Sequence, residues 1–345
     1  MPSVSASYVV KTYTSANDLP AEVWQAFDAH ARDSNIVYPF AKKARLHERS
    51  RGHHRGADVW LVCYSHQHGS GTPSVDFVLS CTEGPFGPYP VFIFTPIPST
   101  KLDPHHFLPR LEVLAYTLQQ AVPPERVFSV FALETITRAF AAIWMRETGI
   151  PLDPEPEYYA AKFTYCTKET IKFRQTTTLS DVSYQLRLAT ETDIQDAAKL
   201  CFGFAATSEP FVLSKEQAVQ EAAYLIQNGQ LWVHEITTSS QRPEIASIVA
   251  VTRTSDTVAG ITKVFTNPRW RQRGCAERLT RFVCQRLLET KESVVLYVAH
   301  NNPAAAKVYH RVGFVGLSGD EHSTSTVDDW LELGFERDLV DLGHW

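Results

Sequence analysis

Thr262-Lys-Val-Phe-Thr-Asn-Pro-Arg-Trp-Arg-Gln-Arg-Gly-Cys-Ala276 decides how the chain is read. Val264-Phe265-Thr266 reads as the end of a strand, Pro268 closes it, and an Arg/Gly-rich turn follows. From Ala276 onward apolar residues recur at Leu279, Phe282, Val283 and Leu287, which is helical spacing. In a strand–turn–helix unit the first helical N–H groups lack intrahelical partners and point into the turn. Aligned with the helix dipole, they form an anion site suited to phosphate. Gly274 carries no Cβ and lets the backbone approach a ligand closely, and Ala276 is the next smallest choice two residues on. The spacing fits neither a dinucleotide fingerprint nor a Walker P-loop, because no Gly-Lys-Ser/Thr follows.

Outward from this stretch the C-terminal half alternates strands and helices. Strands are expected at Tyr184–Leu188, Leu231–Ile236, Ile245–Thr252, Ala259–Thr266, Val294–Ala299, Phe314–Leu317 and Trp330–Phe335. Helices are expected at Ile194–Phe202, after the cap-like Thr190-Glu-Thr-Asp193, and at Lys215–Gln227, which Asn228-Gly229 stops. A further helix covers Pro303–Val312. The N-terminal half has the same order. Its strands are residues 8–13, 59–64, 75–81, 91–95, 127–133 and 157–165, and its helices lie near 20–31, 107–121 and before Gly149.

Asp18 and Asp193, Trp60 and Trp232, the Phe-Thr segments near 94 and 265, and Gly149 and Gly313 recur in one order at an offset of about 170 residues. The chain therefore reads as two copies of one α/β unit: residues 1–170, a Lys/Thr/Ser-rich linker at 171–182, and residues 183–345. Two unrelated α/β domains are the competing reading.

Composition limits the function classes. The 345 residues suffice for two domains, and a net charge of −5 argues against bulk nucleic-acid binding. Six cysteines without a C-x-x-C pair read as reduced, mostly buried thiols of a reducing compartment. With no apolar run of spanning length and no secretory signal pattern at the N-terminus, the expected location is cytoplasmic, away from any membrane. His53-His54, His66-x-His68 and His105-His106 lack Cys or acidic partners at ligand spacing, so no metal is expected.

The second half resembles the GNAT superfamily of N-acetyltransferases. The family pattern Arg/Gln-x-x-Gly-x-Gly/Ala is met by Arg271-Gln-Arg-Gly274-Cys-Ala276. A second block is met downstream by Leu296-Tyr-Val298, Asn302, Ala305, Val308-Tyr309 and Gly313-Phe314. The resemblance covers roughly 184–345 and is only architectural for the first half; in its duplicated shape the chain also resembles two-domain members from fungi. The resemblance implies tandem acyl-CoA N-acyltransferase folds, of α/β (α+β) class, each a mixed and mostly antiparallel sheet flanked by helices. It implies acetyl-CoA as co-substrate and a small-molecule or peptide amine as acceptor, joined in a ternary complex.

By that resemblance, backbone N–H groups from Gln272, Arg273, Gly274, Cys275 and Ala276 hold the pyrophosphate, and Arg271 and Arg273 add charge. A solvated basic face shared with Arg269, Arg278, Arg281 and Arg286 is the plainer reading of these two arginines. Cys275 reads as a small filler, since the family transfers the acyl group directly. Val264, Phe265 and Thr266 offer backbone to the pantetheine in a gap between splayed strands. Asn302 and Ala305 lie along it, although Asn302 before Pro303 is also a helix cap.

Tyr309 is implied as the acid for the departing thiolate; a core tyrosine is the alternative. No glutamate stands on Gly260–Thr266, so the proton acceptor stays open among Tyr297, Glu235, His234, Glu209 and His300. Ser208-Glu-Pro-Phe211 and Asp328-Asp329-Trp330 are candidates for the acceptor pocket. The first copy has Ile97–Pro104 where the glycine turn would be, Trp144 about where Tyr309 stands, and no match for Asn302, so it is read as a degenerate copy. A non-catalytic acyl-CoA sensor or interaction module is the alternative function.

Overall fold

Val59–Tyr64 and Ile245–Val251 are apolar at almost every position, which suits strands covered on both faces, and every one of these residues is buried. The computed structural model describes residues 7–51, 58–66, 73–174, 179, 182–238, 242–317 and 327–343. The first elements are β1 (Ser7–Tyr13), α1 (Ala21–Ala29), α2 (Tyr38–Arg51), β2 (Val59–His66), β3 (Ser74–Cys81), the short pair β4 (Glu83–Gly84) and β5 (Gly87–Pro88), and β6 (Val91–Phe94). Then come α3 (Pro104–Ala121), β7 (Ser129–Leu133), α4 (Glu134–Thr148) and β8 (Leu152–Thr167). The second series is β9 (Val182–Leu188), α5 (Ile194–Ala205), α6 (Lys215–Gln227), β10 (Leu231–Thr238), β11 (Glu244–Thr254) and β12 (Val258–Thr266). It continues with α7 (Cys275–Leu288), β13 (Ser293–Ala299), α8 (Pro303–Val312) and β14 (Asp329–Phe335).

Two compact units result, one of Met1–Ala160 with Asp328–Trp345 and one of Ala161–Val327. In the first, the strand order is β1-β2-β3-β6-β7-β14, then the start of β8; in the second it is β9-β10-β11-β12-β13, then the end of β8. Strands β6 and β7 run parallel, as do β12 and β13, while β1-β2-β3-β6 and β9-β10-β11-β12 run antiparallel. Element order and sheet order thus repeat between the units, and each is a mixed sheet flanked by helices.

The helix starts follow local chemistry. Thr190 and Asp193 form a capping box ahead of α5, and Ser214 with Gln217 forms another at α6. The core of the first unit packs Leu61, Phe77, Leu79, Leu111, Phe140 and Trp144 against Leu331, Leu333 and Phe335 of β14. In the second unit Val249, Ile261, Leu279, Val294, Leu296 and Tyr309 share a cluster on the α7/α8 side of the sheet. On the other side Val233, Ile248 and Ala250 pack against Leu200, Cys201, Ala218 and Leu225 of α5 and α6.

The structure departs from the sequence expectations in several places. Phe314–Leu317 is not a strand: Gly313 and Gly316 have positive φ (122° and 74°) and turn the chain there, although Val315 N still donates to Tyr165 O (3.0 Å). Helix α2 was not expected, and β8 runs farther at both ends than 157–165. The expected linker falls within the second unit, and β14 is counted with the first. With it goes Asp328-Asp329-Trp330, where Asp328 accepts from Ser99 and Trp330 pairs with Leu133. His53, His54, His68 and the side chain of His66 lie outside the described residues, as do 175–178 and 180–181 of the expected linker, 239–241 and 67–72.

Truncation after Val327 removes Leu331, Leu333 and Phe335 from the first core. At about 1.5–3 kcal/mol for each buried side chain, the loss is on the order of a whole domain's stability. Calorimetry of the truncated chain is expected to lose the transition of the first unit and keep that of the second.

Candidate functional site

Strands β12 and β13 pair at Val258↔Ser293, Ala259↔Val294 and Gly260↔Val295, and no pairing between them continues beyond, although β12 runs on to Thr266 and β13 to Ala299. Each keeps its other neighbour to the end. Val264, Phe265 and Thr266 pair with Val249, Ile248 and Ser247 of β11, and Leu296 to Ala299 pair with Thr164 to Ala161 of β8. Each strand therefore turns one edge of peptide groups into the gap between them.

Two bulges sit where the strands part. Ala250↔Lys263 is followed by Val251↔Ile261, so Thr262 is the extra residue on β12; Val251↔Ile261 is followed by Arg253↔Gly260, so Thr252 is the extra one on β11. Thr252 Oγ1 donates to Thr262 Oγ1 (3.0 Å), which ties the two bulges together. Bulges bend and twist a strand locally, and these two lie next to the last β12–β13 pair.

The turn after β12 is fixed from below by Glu244, the first residue of β11. Its carboxylate accepts from Asn267 Nδ2 (3.0 Å) and Trp270 Nε1 (3.0 Å), and Arg269 lies 3.3 Å away. Gln272 (φ 60°) and Gly274 (φ 72°) are left-handed on either side of Arg273. Such alternation gathers successive N–H groups on one side of the chain. No side chain caps α7 at Gly274. In the first unit the matching helix α3 starts differently: Asp103 accepts from His105 N (3.0 Å), which puts a carboxylate on the helix end.

The basic residues around the turn are held individually. Arg271 Nε donates to Thr266 O (3.3 Å) with its guanidinium 5.4 Å from the Phe265 ring, and Arg273 lies 5.0 Å over Trp270. Arg278 is buried over Tyr184 (4.8 Å), and Arg281 is buried against Glu277 (2.8 Å). Neither of the last two belongs to a solvated basic face. Cys275 is buried with Trp270, Ile236 and Ala246, and burial raises its thiol pKa. A raised pKa disfavours the thiolate that a nucleophilic cysteine needs.

Asn302 caps α8 through Oδ1, which accepts from Ala305 N (3.0 Å), leaving its amide nitrogen as the group able to donate elsewhere. Tyr309 is buried in the cluster that holds Leu296 and Val298, with Val264 and Ala305 packed against it. The structure thus brings Val264, Ala305 and Tyr309 together on the α7/α8 side of the gap. Tyr297 alternates with Leu296 and Val298 and so faces the other side, 5.1 Å from the Phe163 ring. On that other side Lys263 is bound by both oxygens of Glu221 on α6 (2.6 and 2.5 Å) and lies 5.0 Å from Phe204. The sequence reading did not single out Lys263, Glu221 or Arg253; only their burial and strand register reveal them.

The other proton-acceptor candidates lie elsewhere. Glu235 is tied up with Arg187, which also binds Asp193. Glu209 and His300 are exposed. His234 is fully buried under α7 beside Tyr184 (5.1 Å), and burial, with help from Arg278, pushes its pKa down to about 4. His106, in helix α3, has its Nε2 3.8 Å from Asp76, whose carboxylate already accepts from Arg110 (2.7 Å) and Ser65. Among the described residues no group of His, Cys, Asp and Glu is placed to hold a metal, and no helix is long and apolar enough to cross a membrane.

A family model described as FR47-like protein matches residues 241–322, which contain β11 to α8. No curated protein sequence matches the chain. Among solved structures, a Drosophila protein from structural genomics is similar at 12% identity over 95% of this chain and 99% of its own, with a TM-score of 0.60. A GCN5-related N-acetyltransferase from Sphaerobacter thermophilus is similar at 13% identity over 98% of both chains (TM-score 0.53). A tandem GNAT protein from the clavulanic acid biosynthesis pathway is similar at 10% identity over 95% of this chain and 98% of its own (TM-score 0.50). The fold is that of the GNAT acyl-CoA N-acyltransferases.

The depressed His234 pKa has a consequence for stability. Above the unfolded value of 6.5 both states are neutral and the residue contributes no pH dependence. As pH falls towards about 4 the unfolded chain takes up a proton that the folded one refuses, so stability drops by up to about 3 kcal/mol. Urea titrations between these pH values are expected to show this slope in the wild type and a shallower one in His234→Leu.

Proposed function

We propose that the chain is an N-acetyltransferase that moves an acetyl group from acetyl-CoA to an amine acceptor, small molecule or peptide, by direct attack in a ternary complex. The observation that carries this reading is the parting of β12 from β13 after Gly260 and Val295, with an uncapped helix start at the end of the parted strand. An extended amide-bearing arm can pair with the free edge of β12 at Val264, Phe265 and Thr266, as a peptide adds to a sheet. Backbone N–H groups from Gln272 to Ala276 can meet a pyrophosphate at the start of α7, where Gly274 offers no Cβ to block it. Arg271 and Arg273 place positive charge beside it, and the Asn302 amide can donate to the arm.

Acetyl-CoA would supply an activated thioester. The chain's own residues would handle the protons. Tyr309, on the α7/α8 side of the gap, would donate to the sulfur as the thiolate leaves. Tyr297, on the other side, is left to face the amine. The first unit has a carboxylate from Asp103 where α7 has none, which would repel a second pyrophosphate, and Trp144 fills its core about where Tyr309 would stand. One acyl-CoA per chain is therefore expected. The six cysteines, all buried and unpaired, support a reducing, cytoplasmic setting.

A CoA sensor without catalysis is the second reading, favoured by the residues β12 presents at the gap: Gly260 and a Lys263 already bound to Glu221, not a free carboxylate. The two separate cleanly. Thiol release from acetyl-CoA with members of an amine panel is expected, and calorimetric CoA binding without any release would support the sensor. Tyr309→Phe is expected to lower kcat by about 10²-fold with CoA affinity kept, and unchanged turnover would remove its acid role.

A further inference from the structure

On β11, Val249 and Val251 face the α7/α8 cluster, so strict alternation would send residue 253 the same way. The extra residue Thr252 prevents this. It shifts the register so that Arg253 lies opposite Gly260, and Gly260 faces away from its neighbours Ala259 and Ile261, which are both in that cluster. Arg253 thus joins the α5/α6 face, as does Tyr297, two residues beyond Val295, the partner of Gly260 on β13. Strand β12 lies between β11 and β13, and at this point of its face it has no side chain. The Arg253 guanidinium crosses there and sits 5.1 Å from the centroid of the Tyr297 ring. Arg253 is 5% exposed, which keeps bulk water from screening its charge.

We infer that Arg253, crossing β12 at Gly260, favours the phenolate of Tyr297 and so makes Tyr297 the group that accepts the amine's proton. The inference rests on the transferase reading above. An unassisted phenol ionises near pH 10, too high for a base at neutral pH. A buried cation within ~6 Å favours the charged form. Described charges on this face include the Lys263–Glu221 pair and, farther along the sheet, Arg187 with Asp193 and Glu235, each cation already bound to a carboxylate. Strand β8 contributes Phe163 and Tyr165, opposite Tyr297 and Val295, and so places no carboxylate and no cation there.

In the step itself the amine nitrogen forms its bond to the acetyl carbon as the carbon–sulfur bond breaks. The amine's proton passes to the Tyr297 oxygen, and the leaving sulfur takes one from Tyr309. Tyr297 is then the catalytic residue and Arg253 its positioning residue.

The test compares wild type, Arg253→Met, Arg253→Gln and Tyr297→Phe. The ultraviolet phenolate band of the full chain, titrated without any ligand, reports ionisation independently of turnover. The wild type is expected to show one early phenolate transition that Tyr297→Phe lacks and that Arg253→Met moves up by about one pH unit. The basic limb of kcat/KM should move with it, slowing Arg253→Met about tenfold at neutral pH. Arg253→Gln, neutral but polar, should reproduce the shift if the methionine variant does not fold. A band and a limb unmoved in the folded variants would overturn the inference even with thiol release intact. Absence of thiol release in the wild type would overturn the transferase reading instead.

Discussion

The open strand edge in the second unit depends on one contact that stops: the parallel ladder between β12 and β13, which closes three residue pairs and no more. A sheet does not part without cause, because each unpaired peptide group loses a hydrogen bond it could have made. The compensating bulges at Thr252 and Thr262, joined through their hydroxyls, lie next to the last β12–β13 pair. The ladder of β12 to β11 resumes on either side of them, so the strand stays anchored along one edge and open along the other. The same two residues decide which side chains look into the opening, since each extra residue reverses the facing of its successors along the strand.

The turn at the end of β12 is held with comparable economy. One carboxylate, Glu244, engages Asn267, Arg269 and Trp270 and so fixes the turn after β12, from which the left-handed residues Gln272 and Gly274 depart. In the first unit the corresponding helix receives its anion from the chain, through Asp103. The two units share topology and differ in whether the helix start is already satisfied. That difference lies in a cap, not in the fold: a carboxylate sits at the start of α3, and no side chain caps α7 at Gly274.

Much of this was legible in the sequence because its signals are local. The Gly274 turn, the helical period after Ala276, the Asn302-Pro303 start and the near-constant offset between halves each need only neighbouring residues or a repeat. What escaped depended on register. Nothing in Ala250-Val-Thr-Arg253 says that Thr252 is an extra residue, yet that decides where Arg253 points. Lys263 with Glu221 is a pair between a strand and a distant helix. Phe314–Leu317 looked like a strand by composition, and two positive-φ glycines overruled it. Residues 171–182 read as a linker between whole domains, but they fall within the second unit and β14 returns to the first.

That return sets an order of assembly. Ser129 on β7 meets Glu332 on β14 through a buried hydrogen bond (2.7 Å) across a sequence separation of 203 residues. During synthesis the second unit has its whole sequence, through Val327, once that residue clears the ribosome, whereas the first unit still lacks the strand that lies beside β7. Closing so long a loop is also entropically slow. The half of the chain made first is therefore the half finished last, and until then the β7 edge is an open template for any extended segment that reaches it.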